Sequence, residues 1–433
     1  MKKIITYALT VLIAITSMVF PSYAATADNE SRYIRASYKA SRIIGEYQDD
    51  GSILFIKQED AHANANALKE LIADNRKKTI VLPKETVEID QTLVIGSNTT
   101  LIATGATVYQ TDNEAILLED EPVKNVTIKG GKWLTDTVEK GNLYRNTSIR
   151  FLHASNVTLD NLYINTSYVG HALELVACKN CTVTNSKFLA IGKTKAKSLE
   201  EAVQIDIATP QTSPSAKELL GDSYVKGQTC KNITVKNCEI RGSRGISTNK
   251  TDTDGGKWLS KHHSNITIEN CKVTGTTSEA MALHNALNVT VKNCTVNSKD
   301  KRIKTTYSIG INVASFGNCD GKTKSTVLIS GNKVDAGRQG IYVGSYNSKK
   351  KFKSVTIKNN KKIKSKYKYP KKSVNGHYKK HKQGPANSAI FVSYAKKVTI
   401  TGNKTYTKHG KKNSVHYEHY NKKKVKSNKA YKK

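Results

Sequence analysis

Between Ser148 and Val296 the chain repeats itself, and no other feature constrains the fold as much. Ser148-Ile-Arg-Phe-Leu-His153 leads into Asn156-Val-Thr-Leu-Asp-Asn161, and Ala172-Leu-Glu-Leu-Val-Ala177 into Asn180-Cys-Thr-Val-Thr-Asn185. Ala202-Val-Gln-Ile-Asp-Ile207 reaches Asn232-Ile-Thr-Val-Lys-Asn237 after an insertion, and Ala280-Met-Ala-Leu-His-Asn285 leads into Asn288-Val-Thr-Val-Lys-Asn293. Each unit is a short alternating strand, a tight polar turn and a second strand with β-branched residues at every other position. Self-similarity over roughly twenty or more residues marks a solenoid. One strand pair cannot bury its apolar side alone, so each coil must stack on the next. The pattern continues through Gly310-Ile-Asn-Val-Ala314, Gly340-Ile-Tyr-Val-Gly344 and Ala389-Ile-Phe-Val-Ser393.

The N-terminus reads as an export signal over residues 1–24: Lys2-Lys3, an apolar run from Ile4 to Phe20, and Ser22-Tyr23-Ala24 before the cleavage point. No later stretch is apolar enough to span a bilayer. The expected protein is secreted, held at the cell wall or released, without a membrane anchor, and monomeric. Residues 25–110 form an N-terminal region with the first coils. Within it Asp60 to Asp74 reads as a helix, with Asp60 as its cap and Ala65, Leu68, Leu71 and Ile72 on one face. A solenoid exposes an apolar layer at each end, and this helix is the expected N-terminal cap. The parallel coils occupy 111–406. A Lys-rich C-terminal tail, 407–433, reads as solvated, as an electrostatic anchor, or as both.

The net charge of +35, from 70 Lys and Arg against 35 Asp and Glu, draws in polyanions. For an exported protein these are acidic polysaccharide or an anionic cell-wall polymer rather than nucleic acid. Cys238, Cys271 and Cys294 occupy one repeat position and Cys178 and Cys230 another. The repeat explains that spacing, so they are read as stacked small side chains in register. Asn161, Asn185, Asn237, Asn270, Asn293 and Asn359 likewise share one turn position, where Asn tolerates a left-handed backbone. The Asn-x-Thr triplets at the other turn are read as part of the repeat rather than as glycosylation sites.

Alternate residues of a strand face opposite ways. In the leading strand the apolar positions, such as Leu173 and Leu175 or Val203 and Ile205, must point inward. The outward positions then form columns. One runs Arg150, Glu174, Gln204, Ser247, Ala282, Asn312, Tyr342, Phe391. A second runs Leu152, Val176, Asp206, Asn249, His284, Ala314. A third, at the strand entrance, runs Thr147, His171, Glu201, Arg244, Glu279. Acids and cations therefore gather on one face, overhung by insertions at 208–229 and 250–264. The second insertion carries Asp252, Asp254, Trp258, His262 and His263, the last two being a weak candidate metal pair.

The order helix, Thr79-Ile-Val-Leu-Pro83, Thr92-Leu-Val-Ile-Gly96, Thr100-Leu-Ile-Ala-Thr-Gly105 resembles the N-terminal part of the pectate-lyase superfamily. The later repeats resemble the right-handed parallel β-helix coils of that superfamily and of polygalacturonases. The resemblance implies an all-β, single-stranded, right-handed parallel β-helix whose leading strands and flanking loops form a substrate groove. It carries over no catalytic residue, because the strand entrances hold Leu199-Glu-Glu201, Ser243-Arg244 and Ser278-Glu279 in place of polygalacturonase motifs.

Two mechanisms fit the face. A lyase needs a base beside a uronate carboxylate and a cation to neutralise it; Arg244 or His171 is the candidate base, and Glu174, Glu201 and Asp206 the candidate Ca²⁺ ligands. A glycoside hydrolase needs two carboxylates flanking the scissile bond; Glu174, Glu201 and Asp206 are the candidates. Arg150, Gln204, Asn249, Glu279, His284, Asn312 and Tyr342 are expected to bind substrate. The expected function is thus a secreted lyase or hydrolase acting on a uronate-containing polysaccharide. The alternative is a non-catalytic, adhesin-like glycan-binding protein retained by its charge, with Tyr342 and Phe391 stacking on sugar rings.

Overall fold

The computed structural model describes residues 32–112, 114–135, 147–166, 170–190, 201–249, 257, 260–299, 306–317, 325–345, 350–366, 388–408 and 414–432. The export signal and Asp252, Asp254 and Trp258 lie outside them. Among the described residues no helix is long and apolar enough to cross a membrane.

The alternating repeat folds as its pattern requires, into a right-handed parallel β-helix. Each coil contributes a leading strand, a second strand, and a third strand on a separate twelve-stranded sheet. The leading strand bends into the second at one residue with left-handed backbone: His153, Ala177, Asn285, Tyr394 or His419 (φ 53°, 53°, 46°, 54° and 53°). The second bends into the third at the expected Asn column, where Asn161, Asn185, Asn237, Asn270, Asn293 and Asn359 all have φ of 53–60°.

Hydrogen bonds run along the coils as well as between strands. The Asn-x-Thr asparagines form an exposed ladder, each Nδ2 donating to the Oδ1 one rung earlier. Asn156 donates to Asn125 (3.0 Å), Asn180 to Asn156 (3.1 Å), Asn232 to Asn180 (2.7 Å) and Asn265 to Asn232 (2.6 Å). The amides those triplets would offer to a glycan are thus part of the fold. Inside, Cys238, Cys271 and Cys294 are buried, unbridged thiols. Their column continues as buried Asn332, Asn360 and Asn403, linked amide to amide at 2.9 and 2.7 Å. A buried amide is tolerated because each neighbour satisfies it.

The helix expected at 60–74 spans Ala61–Ile72, capped by Asp60, whose Oδ1 accepts from the Ala63 amide at 2.7 Å. Its apolar face, including Ala65, Leu68 and Ile72, joins the main core. The N-terminal end also carries an antiparallel ribbon, Tyr33–Ala36 with Lys39–Tyr47, which pairs onto strand Ile53–Phe55.

The C-terminal boundary is corrected. Within the expected 407–433 tail the described residues form another coil, with strands Val415–Lys426 and Lys429–Lys432 parallel to Ile390–Thr401 and Lys404–Thr407. Lysine abundance concealed the pattern, but Val415, Tyr417 and Val425 fall opposite Ile390, Val392 and Ile400 and pack against the core. Lys422, Lys423, Lys424 and Lys426 are exposed along this edge strand, a composition that discourages edge-to-edge pairing.

Candidate functional site

Strand register places the first outward column as its spacing requires. Arg150 pairs with Glu174, Glu174 with Gln204, Gln204 with Ser247, Ser247 with Ala282, Ala282 with Asn312, Asn312 with Tyr342, and Tyr342 with Phe391. In the second column Val176 pairs with Asp206; at the entrance Glu201 pairs with Arg244.

Neighbouring side chains divide this face into two networks. At the entrance, Arg244 lies between Glu201 and Glu279, 2.5 and 3.1 Å from their carboxylates. Burial works against its charge, but Glu279 and Glu201 outweigh it and hold the guanidinium firmly protonated. Burial likewise opposes ionisation of Glu279, yet Arg244, His284 and the Ser278 hydroxyl lower it to about 2. Asn312 Nδ2 lies 3.3 Å from Glu279 Oε1 and 3.3 Å from His284 Nε2. His171 Nδ1 is 2.8 Å from the Glu201 carbonyl oxygen.

The second network spans the preceding coils. Arg150 Nε is 3.6 Å from Asp120 and 3.5 Å from Glu174. Thr147 donates to Glu174 at 3.3 Å. Asp206 is fully enclosed; burial first, then the charge of Glu174, raise it to about 7, against the pull of bonds from Gln204 and the Ile207 amide and from Asn249. Gln204 Nε2 donates to Asp206 Oδ2 at 2.9 Å and the Ile207 amide to Oδ1 at 2.7 Å. Asn249 is held by its carbonyl, which accepts from His263 Nε2 at 2.8 Å, while His263 Nδ1 accepts the Cys230 amide.

The insertion after Asp206 folds down over this network. Helix Pro214–Leu220 and the turn Asp222–Val225 lay Ala216 and Val225 on Leu152, Val176 and Ala177. Arg150 Nη2 donates to the Thr212 carbonyl, Ser215 bonds to Asp120, and His153 Nε2 meets the Tyr224 carbonyl at 2.7 Å. Sequence reasoning placed this insertion over the face but not its packing on Leu152 and Val176, and it missed Asp120. Both left signals: Leu152 and Val176 are apolar at outward positions, and the register extends one coil earlier through Leu118 opposite Arg150.

Several expected roles do not stand. Tyr342 and Phe391 are 5% and 0% exposed and stack on each other at 5.3 Å, with His416 on the far side of Phe391. Those rings meet protein, not sugar. Arg244 is clamped by two acids and is too firmly charged to act as a base. Glu201 is committed to Arg244, so Glu174, Glu201 and Asp206 do not converge as a calcium site. Among the described residues no group of three or more His, Cys, Asp or Glu is placed to hold a metal. His263 is buried with both ring nitrogens bonded, and burial lowers it to about 4, so the His262–His263 pair is structural.

Coil geometry and a leading-strand face of charged pairs beside a folded insertion define a parallel β-helix. Among solved structures, the chain is similar to PfbA, a surface adhesin of Streptococcus pneumoniae. The TM-score is 0.55 at 17% identity, over 81% of this chain and 82% of that one. A tailspike of an Acinetobacter phage gives 0.49 at 12% identity, over 93% and 68%. A family 28 exopolygalacturonase of Yersinia enterocolitica gives 0.42 at 12%, over 89% and 83%. No family model and no curated protein matches the sequence. At these identities the likeness is one of fold, and a fold alone does not set function.

Proposed function

We propose that the protein is a secreted glycoside hydrolase acting on a uronate-containing polysaccharide, with Asp206 and Glu174 as its working carboxylates. The observation that carries this reading is an acid raised to about 7 beside a second carboxylate on the adjacent rung. A carboxyl that burial holds protonated toward neutrality is suited to donate a proton to a leaving group. Asp206 gives its proton to the leaving glycosidic oxygen, a step for which its carboxyl, 2% exposed, must first open to the substrate. Glu174, 3.5 Å from Arg150, attacks the anomeric carbon or activates water. The two are diagonal neighbours rather than directly opposite, so rung spacing alone does not dictate retention or inversion. The lyase reading keeps His171 as its candidate base, with Nδ1 2.8 Å from the Glu201 carbonyl oxygen, but among the described residues no group of three acids is gathered for calcium.

The test is incubation of the mature chain with a panel of uronate polysaccharides, following reducing ends and the ultraviolet absorbance of unsaturated products. Reducing ends should rise without unsaturated uronate, and Asp206→Asn or Glu174→Gln should each slow release by about 10²–10⁴-fold. Unsaturated product would make the protein a lyase. Silence on every polysaccharide would favour the second reading, an adhesin-like glycan-binding protein, which draws support from the roof over Arg150 and from the excess of lysine.

A further inference from the structure

The basic charge is not spread evenly along the solenoid. Residues 321–433 hold 31 Lys and one Arg against two acids, Asp335 and Glu418, and so carry +30 of the net +35. On the third-strand sheet this excess becomes a ladder. Lys333 pairs with Lys362, and Lys404 with Lys429; the intervening step is fixed by Ile363 opposite Thr405. All four lysines are exposed. At roughly 4.8 Å per rung they span about 14 Å along the axis.

Earlier in the same column the lysines are neutralised. Lys187 and Lys272 flank Glu239 at 3.6 and 2.9 Å. In the last coils no acid interrupts the column, and the described structure gives these four lysines no ion pair. Asp335, two residues along the strand from Lys333, is engaged by Lys364 and Lys366 at 3.6 and 2.8 Å. Like charges directly opposite on neighbouring strands are unfavourable, so the ladder contributes nothing to the fold by itself.

Two residues along, on the same outward face, Tyr406 and Tyr431 stack at 4.9 Å and 17°. Tyr431 is 39% exposed. The strip therefore offers regularly spaced cations beside an aromatic face. Rung spacing is close to the length of one sugar unit in an extended glycan, whereas DNA phosphates recur about every 3.4 Å along a strand. An exposed aromatic face suits a sugar ring better than a polyol phosphate.

We propose that the outward face of the last coils, with Lys333, Lys362, Lys404 and Lys429 beside Tyr406 and Tyr431, docks a linear uronate polysaccharide along the solenoid axis. This strip lies on a different sheet from Glu174 and Asp206 and stands whether or not those residues cleave.

The experiment measures binding of the full chain to polygalacturonate, with dextran and inorganic polyphosphate as comparators, across a range of salt. The ladder variant Lys333→Gln/Lys362→Gln/Lys404→Gln/Lys429→Gln is set against Lys124→Gln/Lys129→Gln/Lys179→Gln/Lys231→Gln. The second variant removes the same charge from another face, and far-ultraviolet circular dichroism checks that both fold. The ladder variant should bind polygalacturonate about tenfold more weakly, the sum of four exposed charge pairs of ordinary strength, with a shallower salt dependence. The other variant should lose much less. Tyr431→Ala should weaken polygalacturonate binding and leave polyphosphate unaffected. Equal losses from both quadruple variants would reduce the effect to net charge and overturn the strip. Polyphosphate binding as tightly as polygalacturonate, with no effect of Tyr431→Ala, would overturn the glycan assignment. Should the ladder variant fail to fold, Lys404→Gln/Lys429→Gln must still weaken binding, or the proposal falls.

Discussion

The leading-strand face and the outer face of the last coils are built on the same rungs and handle charge in opposite ways. On the first, each cation has its anion one rung away: Arg150 with Asp120 and Glu174, Arg244 with Glu201 and Glu279. Matched charges can be desolvated, so Glu279 reaches 0% exposure and an insertion can settle on top. On the second, lysine follows lysine in an exposed column. Parallel register lines up whatever the sequence supplies. Whether a column becomes a buried network or a solvated strip depends on the sign of its neighbour.

The largest effect expected from breaking this contrast lies at Arg244. Arg244→Leu strands Glu279 and Glu201 in a covered site. Removing one partner of a buried pair costs about 3–5 kcal/mol, which equilibrium denaturation would read as a lower midpoint with an unchanged slope. A loss below about 1 kcal/mol would mean that the entrance network is wet and loosely held.

Next comes pH. A carboxyl raised by folding contributes stability that is fully present below its unfolded pKa, about 4, and is lost as pH rises through its folded value. Burial raises Asp206 and Glu119 to about 7, so stability should fall between about pH 4 and 7 from these groups. Glu279, lowered to about 2, has the opposite sign: its contribution is present above its unfolded pKa and lost as pH falls through about 2. Asp206→Asn should therefore flatten the fall toward neutrality without abolishing it, since Glu119 remains. Thermal unfolding across pH 3 to 8, roughly, checks this; an unaltered profile would place Asp206 outside the buried pair.

The smallest effect is expected on the other face. Lys404→Gln should change stability by no more than about 0.5 kcal/mol, and in the stabilising direction if it moves at all, because it relieves repulsion with Lys429. A clear destabilisation would show that the column supports the fold.

Much of this was legible in the sequence. The columns through Arg150 and Glu174, the Asn corners and the buried Cys stack all follow from period-two alternation and a repeated turn, because hydrogen bonding between identical rungs leaves one register that buries the apolar side. The C-terminal coil was harder to see, since its lysines mask Val415, Tyr417 and Val425. The covering of Tyr342 and Phe391 was not legible either, because an aromatic at an outward position reads the same whether it meets solvent or another ring.

The sequence by itself determined the solenoid, which residues point outward, and where positive charge accumulates, all of which depend on local period and composition. Only the tertiary structure decided which outward charges meet. Residues 62 positions apart, such as Arg150 and Thr212, come together because the insertion folds back over the coils. Asp206 likewise becomes more than one outward acid, because burial and the neighbouring Glu174, which raise it to about 7, act through space rather than along the chain.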